Sequence, residues 1–189
     1  MRLIFLLMIL FMVSCQSDDQ SAKTVEMYNA SGDMVGTANL SEQSDGVEIE
    51  LTLEGLDPGF HGIHVHENPN CEGPDFTSAG NHLNPEGDDH GLMHPEGSHL
   101  GDLPNIEADD DGQVEAELII EEATLLDGRM SILEGGTSLV IKEEQDDGVS
   151  QPGGDSGARI ICGEIKKDDE VDVDDSPTDP TQFNEEQDE

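Results

Sequence analysis

The stretch HGIHVHENPNC, from His61 to Cys71, places three histidines in alternation just before a cysteine. In an extended strand, the side chains of His64 and His66 project to the same face, because successive residues point to opposite sides. Two imidazoles on one strand face can reach a single metal ion, and this spacing favours a metal site over a chance cluster of surface histidines. The seven histidines of the chain are His61, His64, His66, His82, His90, His94 and His99.

The residues from 68 to 104 carry all four remaining histidines and are rich in Gly, Pro, Asn and Asp. A loop of this length inside a compact domain is usually functional. Imidazole suits copper and zinc, and Asp102 follows His99 by three residues. A carboxylate at that position suits zinc as a fourth, tetrahedral ligand.

Outside this loop the dominant sequence period is two, which is typical of strands with one buried face. Two segments show it, and their apolar positions are Val47, Ile49, Leu51 and Leu53 in the first and Val114, Ala116, Leu118 and Ile120 in the second. Turn dipeptides occur at Ser31-Gly32, Asp45-Gly46 and Asp111-Gly112. Several short strands with frequent turns predict an all-β sandwich or barrel.

The composition bounds both size and partners. With 189 residues, 33% of them apolar and no Trp, the chain predicts one domain with a modest aliphatic core. Asp and Glu number 45 against 7 Lys and Arg, giving a net charge of −38. This charge excludes a nucleic-acid partner, because binding a phosphate backbone requires clustered Lys and Arg.

Residues 1–15 have the features of a signal peptide of the lipoprotein type. Arg2 is followed by an apolar run from Leu3 to Val13, which is too short to span a bilayer. The end of the segment resembles a bacterial lipobox and makes Cys15 the predicted lipidation site, with a plain secretory signal as the alternative. We therefore expect an exported protein that contacts the membrane only through a lipid on Cys15.

The remaining chain divides into three parts. Residues 16–23 are polar and predict a tether, residues 24–167 the folded domain, and residues 168–189 a disordered tail in which eleven of twenty-two residues are acidic. If Cys15 carries lipid, Cys71 and Cys162 remain, and an oxidising compartment can join them. Two free buried thiols are the alternative.

Four motifs give the chain a specific resemblance. They are GFHGIHVHE at 59–67, TSAGNHLNP at 77–85, HLGDL at 99–103 and GARIICG at 157–163. Residues from about 25 to 166 resemble the copper/zinc superoxide dismutase family. The resemblance implies an eight-stranded Greek-key β-barrel with long metal-binding loops, a disulfide between Cys71 and Cys162, and a paired copper and zinc site.

The resemblance also implies roles for individual residues. Copper would be held by His64, His66 and His82, and zinc by His82, His90, His99 and Asp102, so that His82 bridges the two metals. Asp146 matches the carboxylate that connects a copper histidine to a zinc histidine, and Arg159 matches the arginine that attracts superoxide at the copper entrance. His61 corresponds to a structural histidine. His94 has no counterpart, and we expect it to be an exposed loop residue.

Lys142 departs from the family pattern, because the fourth copper histidine of the family falls at this position. A lysine ammonium has no lone pair for a metal. Two functions follow from this departure. The first is a superoxide dismutase, a periplasmic or cell-envelope lipoprotein that converts superoxide to O₂ and H₂O₂. The second is a zinc-binding, redox-inactive scaffold that has lost its copper site. The family contains monomers and dimers, so a homodimer also stays open.

Overall fold

The computed structural model describes residues 21–95 and 97–167, and the regular secondary structure of this part of the chain is almost entirely β-strand. A single turn of 3-10 helix, Thr77–Ala79, is the one helical element among these residues. The strands are β1 Ala22–Asn29, β2 Met34–Glu42, β3 Gly46–Leu53, β4 Gly59–His61, β5 Ile63–His66, β6 Ile106–Ala108, β7 Val114–Glu121, β8 Thr137–Lys142 and β9 Arg159–Ile165.

Seven strands form one curled antiparallel sheet in the order β5-β8-β9-β1-β2-β3-β7, while β4 pairs with β6. Only Gly62 separates β4 from β5. Counted as one strand, β4 and β5 run through both sheets, and the total is the predicted eight. The neighbours β3 and β7, like β5 and β8, are distant in sequence, as in Greek-key topologies. The predicted all-β barrel fold is therefore confirmed.

The barrel core contains the predicted alternating residues. The four apolar side chains of β3, Val47, Ile49, Leu51 and Leu53, are each at most 2% exposed. In β5, Ile63 and Val65 belong to the same core, and the histidines that alternate with them point to the other face of the sheet. The alternation in β5 thus places its imidazoles outside the barrel, beneath the long loop.

The long loop is attached to the barrel by a second apolar cluster and by a disulfide. Phe76 and Ala79 pack against Val140 of β8 and Cys162 of β9. Cys71 is bonded to Cys162, with their Cα atoms 5.7 Å apart. This is the disulfide that the resemblance implied, and it fixes the loop against β9.

Part of the expected tether lies in a strand of the domain. Ala22 and Lys23, which we assigned to the tether, already pair with Ser41 and Leu40 of β2. Residues 1–20, including Cys15 and the signal segment, and the acidic tail 168–189 lie outside the described residues. Within the part that is described, no helix has the length and apolar character needed to cross a bilayer.

Candidate metal centre

The site is built on β5, where His64 and His66 are 0% and 1% exposed. Two loop segments pair with this strand. The Leu83 amide donates to the Val65 carbonyl, and the Val65 amide donates to the Gly101 carbonyl, each at 2.8 Å. Gly101 is required here, because a Cβ at this position would collide with the Val65 carbonyl oxygen. These bonds bring the loop histidines over the face that carries His64 and His66.

Three imidazoles converge on one carboxylate. The Nδ1 atoms of His82, His90 and His99 lie 2.9, 3.0 and 3.3 Å from Oδ1 of Asp102. The other oxygen, Oδ2, accepts bonds from the Gly91 and His99 amides at 2.8 and 3.1 Å. Burial alone would raise the pKa of Asp102, but the hydrogen bonds from its histidines hold it well below the usual range. The carboxylate is therefore ionised, as a zinc ligand must be.

Asp146 joins the two halves of the site. Its Oδ2 lies 2.6 Å from Nε2 of His64, and its Oδ1 lies 3.2 Å from Nε2 of His90. The backbone of Asp146 is held by two hydrogen bonds with the side chain of Asn105. The Asp146 backbone N–H donates to Oδ1 of Asn105 at 2.8 Å, and Nδ2 of Asn105 donates to the Asp146 carbonyl at 2.9 Å. Such outer carboxylates fix the ring orientation and tautomer of a ligating histidine.

Three ring nitrogens are buried without a hydrogen-bond partner among the described residues: Nδ1 of His64, Nε2 of His66 and Nδ1 of His99. Nδ1 of His99 lies 3.3 Å from Oδ1 of Asp102, but the contact does not have the geometry of a hydrogen bond. A buried polar atom normally has a partner, so these atoms require an explanation. The other nitrogen of His64 faces Asp146, and the other nitrogen of His66 lies 3.0 Å from the Gly80 carbonyl oxygen. The nitrogens left over are those that a metal ion would satisfy, and the donor set fits copper and zinc.

One compact group of ligand atoms contains members of both the predicted copper set and the predicted zinc set. One ligand atom from each of His64, His82, His90 and Asp102 lies within 4.8 Å of all the others. This group contains His64 in place of His99, because the rings of His64 and His82 stack with their centroids 3.9 Å apart. His99 still faces the same Asp102 oxygen. The structure thus brings four of the predicted ligand residues into one buried group. His66 and His99 lie beside it, with ring centroids 4.9 and 5.5 Å from that of His82.

The histidines differ in protonation. Burial lowers the pKa of His66 to about 2 and that of His82 to about 4, so both rings are neutral and able to ligate. Burial also lowers the pKa of His64. His90 is the exception, since burial is outweighed by its bonds to Asp102 and Asp146, which raise its pKa to about 9.

Lys142 and Arg159 line a cleft of about 390 Å³ together with His66 and His82. The position of Lys142 on the metal-binding face follows from the register, because His64 pairs with Val140 and Lys142 is two residues further along β8. Burial, followed by the charge of Arg159, lowers the pKa of Lys142. Arg159 donates to the carbonyls of Phe76 and Gly80, both at 2.7 Å.

The two remaining histidines lie outside the cluster. His61 is buried, with its ring nitrogens 2.9 Å from the Lys142 carbonyl oxygen and 2.8 Å from that of Asp57. It thus supports the backbone of β8, in keeping with a structural role. The expectation that His94 is exposed was wrong in degree: the side chain is only 22% exposed and lies 3.7 Å from Asp89.

The sequence reasoning missed two amide side chains that hold the site. Asn105 fixes the backbone of Asp146, as described above. Gln151 brackets His90, since its Oε1 accepts from the His90 amide and its Nε2 donates to the His90 carbonyl, both at 2.9 Å. Each contact spans more than 40 residues, and neither amide belongs to a recognisable motif, so no local signal marks them.

The comparisons with known proteins agree with this geometry. Residues 34–165 match the family model described as copper/zinc superoxide dismutase. Superoxide dismutase [Cu-Zn] 2 of Aquifex aeolicus is 41% identical over 160 residues, which cover 83% of this chain and 94% of that protein.

Two solved structures are also similar. A superoxide dismutase-like protein from Bacillus subtilis superposes with a TM-score of 0.73 and 37% identity, covering 75% of this chain and 97% of that one. The Cu/Zn superoxide dismutase of Brucella abortus gives a TM-score of 0.63 and 35% identity, covering 76% and 99%. With the fold, the buried His and Asp cluster and these similarities in agreement, the chain belongs to the copper/zinc superoxide dismutase family.

Proposed function

We propose that this protein is a superoxide dismutase that uses three histidines, rather than four, to hold copper. His64, His66 and His82 would bind copper, and His82, His90, His99 and Asp102 would bind zinc. The observation that carries the proposal is the pair of buried, unpartnered nitrogens on His64 and His66, next to the three imidazoles on Asp102. A scaffold without copper gives these two nitrogens no partner.

When bound, copper supplies one-electron chemistry in which one superoxide is oxidised to O₂ and a second superoxide, with two protons, is reduced to H₂O₂. Arg159 is the residue that attracts and positions the anion. Its guanidinium is held by the Phe76 and Gly80 carbonyls at the cleft. Because the chain carries a net charge of −38, the attraction has to be local.

His82 and Asp146 would act on protons and on orientation. Nδ1 of His82 faces Asp102, which leaves Nε2 as the nitrogen that would hold a proton for the reduced product. Asp146 accepts from Nε2 of His64, so the lone pair of Nδ1 is the one left to ligate. Asp146 is thus a positioning residue that acts through His64 and His90.

The alternative function is a zinc-binding scaffold without redox activity. Lys142 favours it, because its ammonium group lies on the metal-binding face and adds a positive charge that opposes a second cation in the cleft. The zinc half, the disulfide and the fold are common to both functions. The two functions therefore differ only in what occupies the cleft beside Lys142.

Metal content separates the two functions. We would load the protein with both metals, dialyse it against a moderate copper chelator and determine copper and zinc by elemental analysis. One copper and one zinc per chain, with copper-dependent superoxide removal, is the expected result. Zinc alone would contradict the superoxide dismutase and support the scaffold.

We further propose that the mature protein is an exported lipoprotein. The disulfide supports an oxidising compartment outside the cytoplasm, and the lipobox resemblance supports lipid attachment at Cys15. Cys15→Ser should release the protein from membranes. If the Cys15→Ser variant stayed in the membrane fraction, the proposed lipid anchor at Cys15 would be contradicted.

A homodimer is the assembly that we propose for the folded domain. Tyr28 and Met34 are cross-strand partners on β1 and β2, and they are 37% and 50% exposed. Exposed apolar patches are among the features that mark protein–protein interaction sites. Sedimentation at monomer mass over a wide concentration range would contradict this proposal.

A further inference from the structure

The chain has an unusual pair of neighbouring cations. Lys142 and Arg159 are direct cross-strand partners at the end of β8 and the start of β9. Both line the metal-side cleft of about 390 Å³ and a second cleft of about 370 Å³ next to it, which Asp75 also lines. The two side chains thus stand between the metal ligands and the outer surface.

Like charges directly opposite each other on neighbouring strands destabilise a sheet. Among the described residues, the bonds of the Arg159 guanidinium go to the neutral Phe76 and Gly80 carbonyls, and no carboxylate forms an ion pair with either cation. Asp146, the acidic residue whose charge acts on Lys142, is already bonded to His64 and His90. Asp75 acts on Arg159 through its charge. In the described part of the chain, however, neither cation has a carboxylate in ion-pair contact.

The hydrogen-bonding capacity that remains suits an oxyanion. A guanidinium has five N–H donors, and Arg159 uses two of them on carbonyls. A lysine ammonium adds three more donors in a compact charge. Oxyanions accept several charge-assisted hydrogen bonds at once, which a fork and a point charge on adjacent strands are able to supply.

We propose that Lys142 and Arg159 bind a small oxyanion in the zinc-loaded protein without any copper. In this inference Lys142 supplies the positive charge that a metal would otherwise provide, so the anion site does not depend on the proposed enzymatic activity. Superoxide belongs to the same class of ligand, and inorganic phosphate is a stable probe of it.

The test is a calorimetric titration of the zinc-loaded, copper-free protein with inorganic phosphate. The wild type should bind phosphate, and Lys142→Met should weaken binding by roughly 10- to 100-fold, the loss expected for a hydrogen bond to a charged group. Lys142→Arg should restore most of it. Lys167→Met removes the same charge from an exposed residue paired with Asp127 and serves as the matched control.

A second measurement needs no variant. Acetylation of the wild-type lysines by acetic anhydride, followed by mass spectrometry, should show that phosphate slows the modification of Lys142 and leaves that of Lys167 unchanged. Absence of phosphate binding in the wild type, equal weakening by Lys142→Met and Lys167→Met, or unprotected Lys142 would each overturn the inference. Failure of the copper-loaded protein to remove superoxide would instead contradict the proposed function alone.

Discussion

Nε2 of His64 lies 2.6 Å from Oδ2 of Asp146, and both side chains are buried. The residues are 82 positions apart, and the carboxylate also reaches His90, a proposed zinc ligand. One carboxylate thus fixes the orientation of a histidine in each half of the site. Retention of either metal should therefore depend on a residue that binds neither.

Asp146→Asn tests this coupling. The amide keeps the shape of the side chain but loses the charge that fixes His64 and His90. Losing such an outer carboxylate typically costs about 10- to 100-fold in metal affinity. We expect a loss of that size for copper, measured by competition with a chelator of known affinity. Asp155→Asn, at an exposed position of positive φ, removes an equal charge and is the control. Equal losses in the two variants would contradict a positioning role for Asp146.

Lys142→His tests the departure from the family. An imidazole at this position removes the cation and adds a fourth nitrogen ligand, so copper retention and superoxide removal should both rise, by roughly tenfold or more for one added ligand worth about 1.4 kcal/mol. Lys142→Gln removes the charge without adding a ligand and separates the two effects. Elemental analysis after chelation gives the measurement, and an unchanged copper content in Lys142→His would show that this position does not reach the metal.

The disulfide should stabilise the domain independently of the metals. It closes a loop of 91 residues, for which the chain-entropy model gives about 4–5 kcal/mol. The double variant Cys71→Ala, Cys162→Ala should therefore lower the free energy of unfolding by about 2–5 kcal/mol, measured in urea on metal-free protein. Reduced wild type provides a check that needs no substitution. If both proteins unfold at the wild-type midpoint, the loop is held by the Phe76 cluster alone.

Local patterns predicted much of this molecule. The alternation in Val47 to Leu53 follows directly from one buried strand face, and β3 confirms it. The pair His64 and His66 follows from the same two-residue period. The zinc set and the role of Asp146 came from motif resemblance rather than from periodicity, because their contacts join segments up to 82 residues apart.

Other features depend on contacts for which the sequence has no pattern. Asn105 and Gln151 are single amides in irregular segments, and only the folded chain shows that they hold Asp146 and His90. The pairing of Lys142 with Arg159 across the two strands also could not be predicted from a sequence pattern. Both residues are visible in the sequence, but their opposition depends on the register of β8 and β9, which shifts by a bulge between Ile141 and Lys142.

The metal-free protein should lose stability in acid through its buried histidines. An unfolded histidine titrates near 6.5, whereas burial lowers the pKa of His66 to about 2 and that of His82 to about 4. Below pH 6.5 the unfolded chain therefore binds protons that the folded chain excludes, and stability falls as the pH falls. The slope is about 1.4 kcal/mol per pH unit for each such histidine.

The window from pH 6.5 down to 4 isolates this effect. The pKa of Asp102 is lowered from 3.8, so its contribution is present above that value and is lost only at lower pH. The pKa of His90 is raised to about 9, so its contribution is complete below 6.5 and is lost as the pH rises towards 9. Urea unfolding of metal-free protein across this window measures the slope, and His66→Gln should reduce it by about 1.4 kcal/mol per pH unit. An unfolding free energy that stays constant from pH 6.5 to 4 would mean that His66 and His82 take up protons in the folded state, and that the site opens to water without its metals.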